Sequence, residues 1–282
     1  MARVDRRSGF TLVEALVAML LSTLIVGLVT SVFLVQNEFY ADAVKKSALQ
    51  ESVRGAVALV SSDLRGVGAG GIVSAESDSV TFRVPLVMGG VCGVSGSQTN
   101  LLLPTNGVGV DGAAVDGYAI RAADGSWTYT PAGWTSIFHS SGLAPAQACA
   151  LAGADTMGAT ADFYRLDGLA ASPALQAGDL VMLYQERTLR LSPSGLDPGS
   201  VALFTGRAAG TMVEFASGLT PSSTFQYQLD QPKHWRGFIR GMPKNRIAVI
   251  RFHALGAVVS SRMGRDSLTF NLTATVPLRN AN

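Results

Sequence analysis

From Phe10 to Val35 the chain reads FTLVEALVAMLLSTLIVGLVTSVFLV, roughly 26 residues in which Glu14 is the only charge. About 20 apolar residues suffice for a helix to cross the hydrocarbon core of a bilayer, so this run predicts a membrane-spanning helix. After the polar passage Gln36-Asn37-Glu38, apolar residues recur at Leu49, Val53, Val57, Val60, Leu64 and Val67. Steps of three and four define a single stripe on a helix. Asp42 with Lys45 and Lys46, and Glu51 with Arg54, stand at spacings that meet on a helix surface. The pattern therefore predicts one continuous helix from Phe10 to about Arg65, roughly 80 Å long. Its first half faces lipid or other helices, and its second half lays one apolar face on a folded domain. The run Gly66-Val67-Gly68-Ala69-Gly70-Gly71 ends it, because glycine costs a helix interior about 1 kcal/mol per residue and readily adopts left-handed caps.

Beyond Gly71 the period changes to short β-rich runs separated by Gly, Pro, Asp and Ser. Strands are expected at 79–84, 179–184, 188–191, 201–204, 211–215, 246–254, 257–262 and 267–276. Ser267-Leu268-Thr269-Phe270-Asn271-Leu272 alternates polar with apolar residues, as an antiparallel strand with one covered face does. The stretch from about Gly89 to Ala177 is rich in Gly and Ala without clear periodicity and reads as loops and short strands inserted into the sheet. The expected fold class is α+β: a long N-terminal helix, half transmembrane and half amphipathic, packed on an antiparallel β-sheet headgroup. The expected divisions are 10–35 for the membrane span, 36–67 for the amphipathic continuation and 68–282 for the headgroup.

Composition agrees with one anchor and one sizeable folded region. Of 282 residues, 48% are hydrophobic and only 15% charged, which excludes a disordered chain. The formal net charge is +2, and Arg3, Arg6 and Arg7 against Asp5 account for it, so net charge makes no case for nucleic acid. Basic residues before the span, with no matching cluster directly after Val35, place the N-terminus in the cytoplasm and the headgroup outside, in the periplasm of a bacterium. Ala41-Asp42-Ala43 fits the small-x-small pattern of a secretory cleavage site. The apolar run before it far exceeds the about 7 to 15 residues of such signals.

Glu14 is the anomaly in this picture, since a carboxylate at the bilayer centre costs about 2.5 to 3.5 kcal/mol and less near the interface. Arg6-Arg7-Ser8-Gly9 followed by Phe10-Thr11-Leu12-Val13-Glu14 resembles the class III leader of type IV prepilins and type II secretion pseudopilins. The resemblance implies a leader at 1–9, cleavage after Gly9 by a prepilin peptidase and N-methylation of Phe10. It also implies that Glu14 assists subunit assembly by pairing with the N-terminal amine of a neighbouring subunit. Two such charges offset each other's desolvation, whereas either alone is expensive. The other reading of Glu14 is a side chain that snorkels to headgroups and needs no partner.

The segment ALQESVRGAVALVSSDLRGVG is similar to the corresponding region of PilW-type minor pilins and of the type II secretion J pseudopilin, and the ending TATVPLRN resembles the last strand of such minor pilins. The implied function is a minor pilin-like structural subunit, membrane-embedded before assembly and then part of a pilus or pseudopilus. The implied partners are the prepilin peptidase, other major and minor pilins and the inner-membrane assembly platform. A mature chain of about 273 residues is bulky for a repeating lattice, which suits a tip or initiation position.

Candidate chemistry is sparse. His139, His234 and His253 are scattered without a zinc or protease spacing, so no metal, cofactor or catalytic residue is expected, and the chain does not read as an enzyme. Two G-x-G-x-x-G matches, at Gly66 to Gly71 and Gly107 to Gly112, lack the strand-then-helix context of a dinucleotide site. Cys92 and Cys149 are the two cysteines, and the oxidising compartment inferred from topology favours a disulfide over separate thiols. The segment QPKHWRGFIRGMPKNRIAVIRF gathers Lys233, Trp235, Arg236, Arg240, Lys244 and Arg246 without an acidic residue. Basic residues with interleaved aromatics can follow the phosphates of DNA or another anionic polymer; the plainer reading is a solvated face or a docking surface for an acidic subunit. The alternative function is accordingly a membrane-tethered periplasmic adhesin or polymer-binding module with a pilin-like anchor.

Overall fold

The computed structural model describes residues 11–68, 70–96, 98–104, 115–123, 125–133, 136–140, 161–167, 175–230, 234–236, 244–259 and 267–278. Its first element is a single helix, α1 (Leu12–Arg65), of 54 residues. Every large apolar residue of its first half is exposed, and the first buried side chain is Leu49. From there Leu49, Val53, Ala56, Val60 and Leu64 are buried against the headgroup. The expected stripe is therefore off by one at its centre. Ala56 holds the fully buried position and Val57 is half-buried at the rim, because the small Ala side chain lets the helix lie close to the sheet. Gly66 ends the helix in right-handed geometry, with φ −78°, and the left-handed residue of the glycine run is Gly70, with φ +73°.

Strands β1 (Ile72–Ala75), β2 (Ser79–Ser95), β3 (Gln98–Pro104), β4 (Gly117–Arg121), β5 (Trp127–Pro131), β6 (Ser136–Ser140) and β7 (Ala161–Asp167) come next. The second half holds β8 (Leu180–Pro193), β9 (Val201–Arg207), β10 (Met212–Leu219), β11 (Thr224–Leu229), β12 (Trp235–Arg236), β13 (Ile247–Val259) and β14 (Ser267–Pro277). They form one sheet whose main path runs β12-β11-β13-β10-β9-β8-β2-β3-β7-β6. On its margins β1 joins β2, β14 joins β13, and the β4–β5 hairpin joins β8. All described pairings are antiparallel, so the chain is α+β as the sequence implies.

The helix crosses the sheet over β10, β13 and β14. On one flank the Ser52 hydroxyl donates to Ser217 O at 2.6 Å, and Arg187 pairs with Asp63 at 3.4 Å. On the other, the Arg54 guanidinium stands 5.9 Å above the Phe270 ring, a different partner from the Glu51 that its spacing suggested. The Asp63 carboxyl is held above its ordinary range by burial, which Arg187 opposes. Beneath the helix lies a core that includes Phe82, Leu189, Leu203, Phe225, Tyr227 and Phe252. Phe225 and Phe252 stack at 4.9 Å. The Tyr227 hydroxyl reaches Glu76 O at 2.7 Å, and burial raises its pKa well above the ordinary value.

A second core, built on Val91, Leu101, Leu103, Tyr118, Val181 and Leu183, lies beyond the helix. The strands β2 and β8 are long enough to pass through both, paired from Ser79↔Arg190 to Gly90↔Leu180 with an irregularity between Pro85 and Val87. Part of the stretch expected as irregular insertion is thus integral sheet. On its outer face Arg83 pairs with Glu186 at 3.2 Å and lies 4.6 Å from the Tyr129 ring. Arg207 binds Asp116 at 2.6 Å, fastening the β4–β5 hairpin.

Candidate functional site at the helix N-terminus

Of the functional residues indicated by the leader motif, Glu14 lies in the first turn of α1. Thr11 is its N-cap, in extended geometry with φ −81° and ψ 149°. The Glu14 N–H donates to Thr11 Oγ1 at 3.3 Å. In return, Glu14 Oε2 accepts from Thr11 N at 3.2 Å and from Thr11 Oγ1 at 3.1 Å. This is a capping box, which satisfies donors that the start of a helix otherwise leaves open. A negative charge here also faces the positive end of the helix dipole. The Thr-x-x-Glu spacing of Thr11 and Glu14 is the sequence signal for this role. Gly9 and Phe10 lie outside the described residues.

The span behind this turn is chemically suited to lipid. Ser22 donates to Ala18 O at 2.7 Å and Thr30 to Val26 O at 2.8 Å. Thr23 and Ser31 bond the carbonyls of Leu20 and Leu28. Each hydroxyl in the apolar run is therefore satisfied by its own helix, as a medium without water requires. The helix is long and apolar enough to cross a membrane, and its most apolar window is wholly unburied in the fold. That leaves Glu14 as a lone carboxylate at the edge of a long apolar surface.

The remaining candidates do not gather at this turn. Cys92 is half-buried on β2, while Cys149 lies outside the described residues, as do Lys233 and Arg240. Trp235 and Arg236 form the two-residue β12, and Lys244 and Arg246 sit in a 3-10 turn ahead of β13. Arg246 pairs with Asp230 at 3.0 Å, just before the acid-free segment. The Trp235 ring lies 3.6 Å beneath the guanidinium of Arg251, a β13 residue of the same basic segment. Neighbouring His253 bridges Gln226 at 3.2 Å and Thr273 at 3.0 Å. Its pKa is lowered, first by partial desolvation and then by Arg251. Among the described residues no group of acidic, His and Cys side chains could hold a metal.

The family model for the prokaryotic N-terminal methylation motif matches residues 5–30. The match covers Gly9, Phe10 and Glu14 and most of the apolar run. It supports a type IV prepilin-like protein anchored by its N-terminal helix, processed by a prepilin peptidase and assembled with other pilins. No curated protein and no solved structure matches the chain.

Proposed function

We propose that this chain is a minor pilin-like structural subunit, incorporated near the tip or the initiation complex of a type IV pilus or type II secretion pseudopilus. The observation that carries the reading is the conjunction of the methylation motif at residues 5–30 with a helix whose large apolar residues are all exposed until Leu49, the first buried residue. An exposed face of that length requires lipid before assembly and sister helices afterwards. Cleavage after Gly9 leaves Phe10 as the methylated N-terminus, one residue before the Thr11 N–H that Glu14 already binds. Glu14 is then placed to receive an N-terminal amine. In the assembly that amine belongs to a neighbouring subunit, and the pairing gives the carboxylate a reason to accept the bilayer edge.

The headgroup, placed in the periplasm, carries Cys92 joined to Cys149. In support, no free thiol occurs among the described residues, and the chain has two cysteines. The partners are the prepilin peptidase, major and minor pilins and the inner-membrane assembly platform, and no catalytic role is assigned. The test is mass spectrometry of the mature protein, which should find methylated Phe10 at the N-terminus; an intact Met1 rejects the assignment. The second reading, a tethered polymer-binding module, draws on Arg236 and Lys244, both exposed.

A further inference from the structure

We propose that Thr11 is a positioning residue for leader removal: by fixing the first residue of α1, it keeps the peptide bond between Gly9 and Phe10 out of the helix and open to a peptidase. The inference rests on the prepilin reading, in which that bond is the one cut. The family match over residues 5–30 is what brings a peptidase to this stretch.

A peptide bond inside a helix is a poor substrate. Its carbonyl is held by the amide four residues on, whereas extended backbone leaves its donors and acceptors free to pair with an enzyme. Where α1 begins is therefore decisive. Its ladder starts at the Thr11 carbonyl, which accepts from Ala15 N at 3.2 Å, and Thr11 itself is extended. The bond to be cut precedes Thr11 in the chain.

A competing start lies close by. Ser8 stands three residues upstream, and serine ranks at least as high as threonine at an N-cap. A helix capped at Ser8 would enclose Gly9 and Phe10, with the Gly9 carbonyl taken by Val13 N and the Phe10 carbonyl by Glu14 N. Two features oppose that start. Gly9 is the poorest helix former short of proline. The Thr11 hydroxyl also holds the Glu14 N–H at 3.3 Å, so the two starts compete for one donor and cannot coexist. Because the cap uses the backbone of position 14, variants of the Glu14 side chain keep it.

The test follows leader removal from the full-length precursor in membranes by the peptidase of the same cells, with mass spectrometry of the product. Thr11→Ala should raise KM about fivefold, the worth of one N-cap, with kcat unchanged, because the Ser8-capped helix withholds part of the substrate. Thr11→Val keeps the shape without the acceptor and should behave the same way, while Thr11→Ser and Thr11→Asp restore normal cleavage. Adding Ser8→Ala to Thr11→Ala should recover the lost affinity by removing the competing cap, which a direct contact between Thr11 and the peptidase would not allow. Normal cleavage of Thr11→Ala or Thr11→Val, a defect confined to kcat, or failure of Ser8→Ala to restore KM overturns the positioning role and leaves the prepilin reading standing. An unmodified chain that is not cut after Gly9 overturns both.

Discussion

Gly256 on β13 faces Leu49 on α1 so closely that a Cβ at position 256 would stand 2.7 Å from Leu49 Cδ1 and 2.8 Å from Val53 Cγ2. Gly218, with φ +78°, meets the same Leu49 methyl from β10, at 3.0 Å from the site of its own absent Cβ. Leu49 is the first buried residue of the helix, so these two glycines form the seat where α1 leaves solvent and joins the sheet. Gly256→Ala should destabilise the headgroup by about 1 to 3 kcal/mol through overpacking. Leu49→Ala should cost about 2 to 5 kcal/mol through the cavity it leaves. Urea unfolding of the detergent-solubilised protein, followed by circular dichroism, checks both; an unchanged midpoint for Gly256→Ala would mean that the helix can shift off its seat.

How far the fold was legible follows from which period each segment displays. The helix was plain, because its stripe and its apolar run both carry the helical or membrane pattern over many turns. Val57 was mistaken for a core position because apolarity alone does not reveal how near a backbone must come, and Ala56 takes that place. The strands β8 and β13 each read as two shorter runs. Polar residues such as Gln185 and Glu186, or the Gly256 beneath the helix, interrupt the apolar alternation without interrupting the ladder. β3 and β11 were missed: Leu101 to Leu103 are buried on successive positions, and Thr224 to Gln228 is half polar. At the site, the leader motif showed Glu14, while its Thr11 partnership needed the capping spacing. Arg251 belongs to the basic segment in sequence, but its place over Trp235 was not legible there, since β11 stands between β12 and β13 in the sheet.

Stability should fall as pH drops below about 6.5, in part through His253. Its folded-state pKa lies below the ordinary 6.5, so the unfolded chain takes up this proton first, and the contribution present above 6.5 is lost as pH falls through the lower folded value. His253→Gln keeps a polar side chain between Gln226 and Thr273 and removes the titration. Its unfolding midpoint should change less between pH 7 and about pH 5 than that of the unmodified protein; parallel profiles would show that His253 does not contribute.

Peptide mapping under non-reducing conditions should recover Cys92 joined to Cys149. Closing that loop stabilises by about 4 kcal/mol in the chain-entropy account, so Cys92→Ser should lower the unfolding midpoint without changing membrane insertion. Alkylation of both thiols in the native protein would remove the disulfide from the fold.

The basic segment gives a sharper test now that Arg251 covers Trp235. If the segment binds DNA, affinity should fall steeply with salt, and Arg236→Ala should flatten that dependence by about one unit of slope. With one ring face occupied at 3.6 Å, Trp235→Ala alone should weaken single-strand binding less than Trp235→Ala combined with Arg251→Ala. The full stacking loss is about 1 to 3 kcal/mol per base. Filter binding of a labelled oligonucleotide at low salt measures both, and no detectable binding returns these residues to a solvated surface.

Variants at Gly9 and Glu14 should separate processing from assembly. Gly9→Leu should block leader removal, so the protein keeps its first nine residues and stays in the inner membrane. Glu14→Ala leaves the cleavage sequence intact and should be processed, but its incorporation should fall. The capping box contributes only about 0.5 to 2 kcal/mol to the helix start, and the rest of a 54-residue helix does not depend on it. A large assembly defect with normal helicity therefore cannot come from fraying of the first turn. Glu14→Gln discriminates further: it can still accept hydrogen bonds from Thr11 but cannot neutralise an amine. If Glu14→Gln assembles like the unmodified chain while Glu14→Ala does not, assembly needs the side chain's hydrogen-bond acceptor and not its charge; if both fail, its charge is what the neighbouring subunit needs. Quantitative immunoblotting of sheared filaments against membrane fractions distinguishes these outcomes, and normal incorporation of both variants would leave snorkelling to the headgroups as the account of Glu14.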